Sequence, residues 1–143
     1  MNPRPFLVTL MLILVPLGAC QSSGGSTSDP ARSMARLSES TRSAADGYIT
    51  AVSDLSKQLI AVTDTASARA AMPSIESAIT RISQAASQLV AASPEAKSDV
   101  SIAFGQRIRN VNDSFAGQVD RIKGTPGIGT TLGPLLDKVR MYR

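Results

Sequence analysis

Histidine and tryptophan are missing from this 143-residue chain, and cysteine occurs once, at position 20. Without imidazole, no side chain has an ordinary pKa near neutrality to act as a general base or nitrogen ligand. A lone thiol closes no internal disulfide, and zinc sites of the common kind need His or Cys ligands in numbers. Aromatic residues are scarce, two Tyr and three Phe, so any core must be built from aliphatic and small side chains. Carboxylates, Lys, Tyr and Ser/Thr remain as reactive groups, and no pattern among them marks a site. The expectation is a protein that is not an enzyme and holds neither cofactor nor metal.

The N-terminal residues carry an address. Arg4 provides a positive start, and Phe6 to Pro16 (FLVTLMLILVP) is an almost unbroken apolar run that ends at small residues, the pattern of an export signal. About 20 apolar residues are needed to span a bilayer, and this run has about half of that. The residues that close it, Leu17-Gly18-Ala19-Cys20, resemble the lipobox of bacterial lipoproteins. That resemblance implies cleavage between Ala19 and Cys20, and acylation of Cys20 with a diacylglyceryl thioether and an N-acyl chain such as palmitate. Each buried CH₂ contributes about 0.8 kcal/mol, so several chains anchor a protein stably. In the same family Asp after the Cys often retains the protein at the inner membrane. Gln21 stands there instead, which implies an outer-membrane lipoprotein facing the periplasm, with the inner membrane or the cell surface as alternatives.

Three regions follow: residues 1–19 as signal peptide, 20–29 as lipidated Cys and tether, and 30–143 as a folded domain. The tether QSSGGSTS has no apolar side chain to pack and reads as flexible, with a reach of about 15 Å. Asp29-Pro30 is a helix start, an N-cap before Pro at the first position. Met34, Leu37, Thr41, Ala44, Tyr48, Val52, Leu55, Leu59 and Val62 then recur at steps of three and four. This spacing predicts one helix over 30–63, bent near Gly47, with Arg36 and Asp46 among the residues on its wet side. Residues 64–72 are expected to form a turn with a short helical piece, because Pro73 disrupts a helix running through it. Ile75, Ile79, Ile82, Ala86 and Leu89 mark a second helix over 73–92, with Ala78, Ala85 and Ala86 allowing close approach.

Ser93-Pro94-Glu95 repeats the start signal. Val100, Phe104, Ile108, Val111, Phe115, Val119 and Ile122 mark a third helix over 94–123 that stops at Gly124. Leu132, Leu135, Leu136, Val139 and Tyr142 suggest a short fourth helix. The fold class is all-α, an up-down antiparallel bundle of three main helices plus a short C-terminal one, because short connections force neighbours to run antiparallel.

Several features invite functional readings that elementary chemistry weakens. Gly124 to Thr131 has the glycine spacing of a phosphate loop, but Thr130 occupies the Lys position and a helix, not a strand, precedes it. Residues 107–143 hold seven Lys+Arg against three Asp+Glu, whereas 21–106 hold seven against eight. Such a basic part could meet anionic envelope components, although a solvated helix face explains it more simply. Nucleic acid is disfavoured, since no aromatics interleave with the basic residues. Tyr48, Phe104, Phe115 and Tyr142 fall on apolar stripes and read as core. Asp113 and Asp120 stand about 10 Å apart along a helix, too far to share a proton. The tail Asp137 to Arg143 resembles the basic end of murein lipoproteins, but it closes on Arg143 where that family has the Lys joined to peptidoglycan. The expected role is a membrane-anchored structural or protein-interaction module with an envelope protein or the cell wall as partner. The alternative is a periplasmic module that binds a small apolar or anionic ligand between its helices.

Overall fold

A computed structural model describes residues 29–142, so Ala19, Cys20 and Gln21 lie outside the described residues. Five helices follow one another: α1 (Pro30–Arg36), α2 (Glu39–Ala61), α3 (Thr65–Ala91), α4 (Pro94–Gly124) and α5 (Ile128–Leu136). Among the described residues there is no strand.

Four of the five starts are written in side-chain chemistry, and α5 begins at Gly127 without a side-chain cap. Asp29, Ser38, Asp64 and Ser93 accept hydrogen bonds from Ala31, Thr41, Ser67 and Ala96 backbone N–H groups, satisfying donors that the first turn leaves free. Ser38 explains why the expected helix over 30–63 is two helices. Leu37 is extended (φ −68°, ψ 138°) and Ser38 caps a fresh start, while the stripe runs through both pieces because Leu37 is itself buried. Gly47 produces no break, for α2 continues through it.

The expected turn over 64–72 is instead the beginning of α3. Asp64 and Ser67 form a reciprocal capping box, and the intervening TASARAAM is rich in Ala, the strongest helix former. Pro73 therefore sits inside α3, its ring on the exposed side, and Ser74 Oγ donates to the Ala71 carbonyl nearby (2.8 Å). An interior Pro costs about 3 kcal/mol; the cap at Asp64 and the burial of Ala68 and Ile75 on either side hold the helix through it. The C-terminal helix begins at Ile128 and ends at Leu136, earlier than the expected 132–142, so Val139 and Tyr142 lie beyond it.

α2 packs against both α3 and α4, α1 lies along α4, and α5 touches α3 and α4. α3 and α4 have little direct contact. Tyr48, Val52, Leu55 and Leu59 of α2 are fully buried, together with Ile75, Ile82 and Leu89 of α3 and Val100, Phe104 and Ile122 of α4. The turn into α5 needs its glycines. Gly127 has φ +82°, and a Cβ on Gly129 would stand 2.7 Å from the Lys123 carbonyl oxygen, where two backbones approach.

Two alanine substitutions separate these roles. Gly129→Ala is expected to destabilise by about 1–3 kcal/mol through the backbone clash. Gly47→Ala, with open space around its Cβ position, is expected to stabilise by about 1 kcal/mol. Urea unfolding followed by circular dichroism measures both, and a common sign would contradict the assignment.

Candidate functional site

The sparse contact between α3 and α4 leaves one side of α4 uncovered. Ser101, Gly105, Ile108, Asn112, Phe115 and Val119 recur on it at helical spacing and line a groove of about 1070 Å³, the size of a small-molecule or peptide site. Val90, at the end of α3, stands on its rim with 59% of its surface exposed. Met141 and Tyr142 border the groove from the C-terminal segment. Lys97, Arg109, Asp113 and Asp120 are its charged residues, and none of them makes an ion pair among the described residues.

Toward the middle of the groove, at Asn112, a polar cluster holds the C-terminal segment. Tyr48 is fully buried on α2, and its hydroxyl donates to Asn112 Oδ1 (2.9 Å) while accepting the Tyr142 backbone N–H (3.0 Å). Asn112 Nδ2 donates to the Tyr142 carbonyl (2.9 Å). The two side chains thus grip both backbone groups of one residue, and the Tyr142 ring meets Tyr48 edge-on with centroids 6.2 Å apart. Burial pushes the Tyr48 hydroxyl above its ordinary pKa, against the opposing hydrogen bonds from Tyr142 and Asn112. It stays neutral and structural, and is no base.

On another face of α4, near its start, α1 is locked to it. Arg36 Nε donates to both carboxylate oxygens of Asp99 (3.2 and 3.0 Å), Nη2 donates to Oδ1 (2.5 Å), and Ser33 Oγ accepts from the same Nη2 (3.1 Å). Asp99 is buried while Arg36 remains half exposed. The wet-side expectation for Arg36 holds for its surface and misses its partner. The guanidinium holds the Asp99 carboxyl below the usual carboxylate range, opposed by desolvation.

The remaining sequence candidates are accounted for by packing. Phe104 and Phe115 are core, as is Tyr48; Tyr142 is partly buried and belongs to the irregular segment after α5, not a helix stripe. Asp113 and Asp120 both border the groove and are exposed. In the glycine-rich turn, the Gly129 amide donates to the Thr125 carbonyl (2.9 Å), so it is not free for a phosphate. Part of the basic excess has internal use. Arg121 donates to the Leu59 and Val62 carbonyls at the C-terminus of α2, where a cation is favoured; Lys123 pairs with Asp137 (2.5 Å) and Arg107 with Asp46 (3.1 Å). Lys97 shares the groove with Ser98 and Ser101, but all three are exposed, and no hydrogen bond joins them among the described residues. A lysine acting as base needs to be desolvated. Among the described residues no group of three or more acidic, His or Cys side chains is placed to hold a metal. Nor is any described helix long and apolar enough to cross a membrane.

Removing the Tyr48 hydroxyl strands the Tyr142 N–H and an Asn112 acceptor, so Tyr48→Phe is expected to cost about 1–3 kcal/mol and to speed amide exchange in residues 138–142. Unchanged exchange there would disprove the clamp. The pH dependence has two limbs. Asp99 is depressed by Arg36 and Asp64 by the Ser67 amide and hydroxyl. Their stabilisation is present above the unfolded carboxylate value of about 4 and is lost as pH falls through the lower folded values. Tyr48 is raised, so its contribution is complete below about pH 10 and disappears as pH rises through its folded value. Thermal melts across pH are expected to show both declines, and the deficit of Asp99→Asn relative to wild type is expected to shrink in acid. Comparison with known protein families, curated proteins and solved structures finds no match for this chain.

Proposed function

We propose that this protein is a lipid-anchored, noncatalytic module of the bacterial envelope that presents the uncovered side of α4 to a partner. The observation that carries the interaction reading is the groove along that side, where Ile108, Phe115 and Val119 alternate with Ser101, Gly105 and Asn112, charged residues stand beside them, and α3 leaves the face open. Its charged residues are exposed and no nucleophile is paired with a base there, which supports binding over catalysis.

The anchor half of the proposal rests on the sequence. Leu17-Gly18-Ala19-Cys20 at the end of the apolar run supplies the single Cys where acylation requires it, and Gln21 favours the outer membrane facing the periplasm. Residues 20–29 would then hold the helical domain near the headgroups. In this reading α2, α3 and α4 run alternately up and down, as the brief connections 62–64 and 92–93 demand. A second reading, a small apolar ligand held in the groove, is favoured by its volume.

Cys20→Ser is expected to abolish acylation and release the protein from the membrane fraction, as read by labelled-palmitate incorporation and fractionation. Persistence of the mutant in membranes after signal removal would refute the anchor. A photo-crosslinking residue at Ser101, inside the groove, is expected to trap an envelope protein that the same residue at Glu76, on the exposed side of α3, does not.

A further inference from the structure

The backbone bonding of the chain changes after Val139. The amides of Asp137, Lys138 and Val139 still donate to the Gly133, Leu135 and Leu136 carbonyls (3.0, 3.1 and 3.1 Å), prolonging the last turn of α5, and Lys123 holds Asp137 (2.5 Å). Among the described residues, the amides of Arg140 and Met141 donate to no backbone group. At Tyr142 the chain is caught again, its N–H by the Tyr48 hydroxyl and its carbonyl by Asn112 Nδ2. A fixed root, two unbonded amides and a seated end have the form of a hinge with its seat.

The hinged residues cover more than they bury of themselves. Arg140 is exposed, and Met141 and Tyr142 are only partly buried against the core. Beneath them Tyr48 is fully buried, with Met141 Sδ 3.7 Å from its hydroxyl. Departure of Tyr142 leaves this seat in good order. The Tyr48 hydroxyl keeps its bond to Asn112 Oδ1 (2.9 Å), and the positions vacated by the Tyr142 N–H and carbonyl face the groove that Asn112 lines, where water replaces them. The cost of stranding a dry polar group, which keeps most buried hydrogen bonds shut, is therefore avoided. A swing about Arg140 also breaks no helix bond, since the last of those ends at Val139.

We infer that residues 140–142 are a latch on the groove, hinged at Arg140, that opens while all five helices stay folded and bares the Tyr48 hydroxyl and the Asn112 amide. Closed, the acceptor on Tyr48 and the donor on Asn112 are both engaged by one residue of the chain itself. Open, the groove loses Met141 and Tyr142 from its border and gains that acceptor and that donor near its middle. Segments with few buried contacts open at a small fraction of the global unfolding free energy. That the latch governs access to a binding surface rests on the interaction reading of α4; its opening does not.

Hydrogen exchange of the full chain, read by NMR over a series of sub-denaturing urea concentrations, separates a latch from a piece of the core. Relative to intrinsic rates, the Tyr142 amide is expected to exchange at least about tenfold faster than the amides of buried Leu55 and Ile82. Its rate should hardly respond to urea while theirs climbs steeply, because opening the latch exposes little surface. Tyr48 supplies a second reading. The chain has two Tyr and no Trp, so tyrosinate absorbance of Tyr142→Phe follows Tyr48 alone, which burial holds above its ordinary range. In Met141→Gly/Tyr142→Gly, which keeps the seat and weakens the latch, Tyr48 is expected to ionise closer to the ordinary value of about 10, with helix content by circular dichroism unchanged. A Tyr142 amide that shares the urea dependence of Leu55, a Tyr48 still raised in the double variant, or loss of helix in that variant would each overturn the inference. Urea-independent exchange at Tyr142 in a protein that traps nothing from Ser101 would uphold the latch and remove the interaction reading.

Discussion

α2 carries an apolar surface too broad for one neighbour to cover. Its buried positions, from Ala51 and Ala44 through Tyr48, Leu55, Leu59 and Val52 to Ala45 and Ile49, sweep about 160° of the circumference at the α-helical repeat, wider than an ordinary stripe of about 100°. Two helices are required to bury it, and α3 and α4 each take a flank. Because they are held apart by α2, they hardly touch, and the gap between them has to be closed by something else. α5 and the segment after it close one end. The groove is the part that stays open.

The stripe through Ala44, Tyr48, Val52, Leu55 and Leu59 was legible because spacing at three and four residues survives any detail of packing, and the second and third stripes located the cores of α3 and α4 for the same reason; the breadth added by Ala45, Ile49 and Ala51 was not. What escaped was every feature decided by one local hydrogen bond against a global pattern. Leu37 fits the stripe equally well whether the chain is helical or extended there, so the stripe ran unbroken over the cap at Ser38. Pro73 is a strong breaker by itself, yet the capping box at Asp64 and an Ala-rich first turn outweighed it. The open face of α4 was hidden by its own composition: Ser101, Gly105 and Asn112 look like solvent residues, and only the distance between α3 and α4 makes them the floor of a groove.

Long-range polar contacts were invisible for a different reason. Arg36 and Asp99 are separated by 63 positions and Tyr48 and Asn112 by 64, and nothing in either neighbourhood announces a partner. The C-terminal glycines are the converse case, a pattern suggestive of phosphate binding that packing fully employs. Gly127 supplies a left-handed turn and Gly129 a close approach to the Lys123 carbonyl. Arg121, counted in the sequence as one more surface cation, closes the carbonyl end of α2. A basic excess is thus partly an internal fastening, and less of it is free for anionic partners than the count of charges implies.

The grip of Tyr48 and Asn112 on Tyr142 joins positions 94 residues apart. A hydroxyl in the middle of α2 has no finished environment until the far end of the chain has arrived. Synthesis delivers the N-terminal helices first, and for most of that time they lack the residues that complete their core. Under the proposed export, such delay would keep the chain thin enough to pass a translocation channel, which a domain closed early would not be. The grip on Tyr142 makes the environment of Tyr48 depend on residues made long after it.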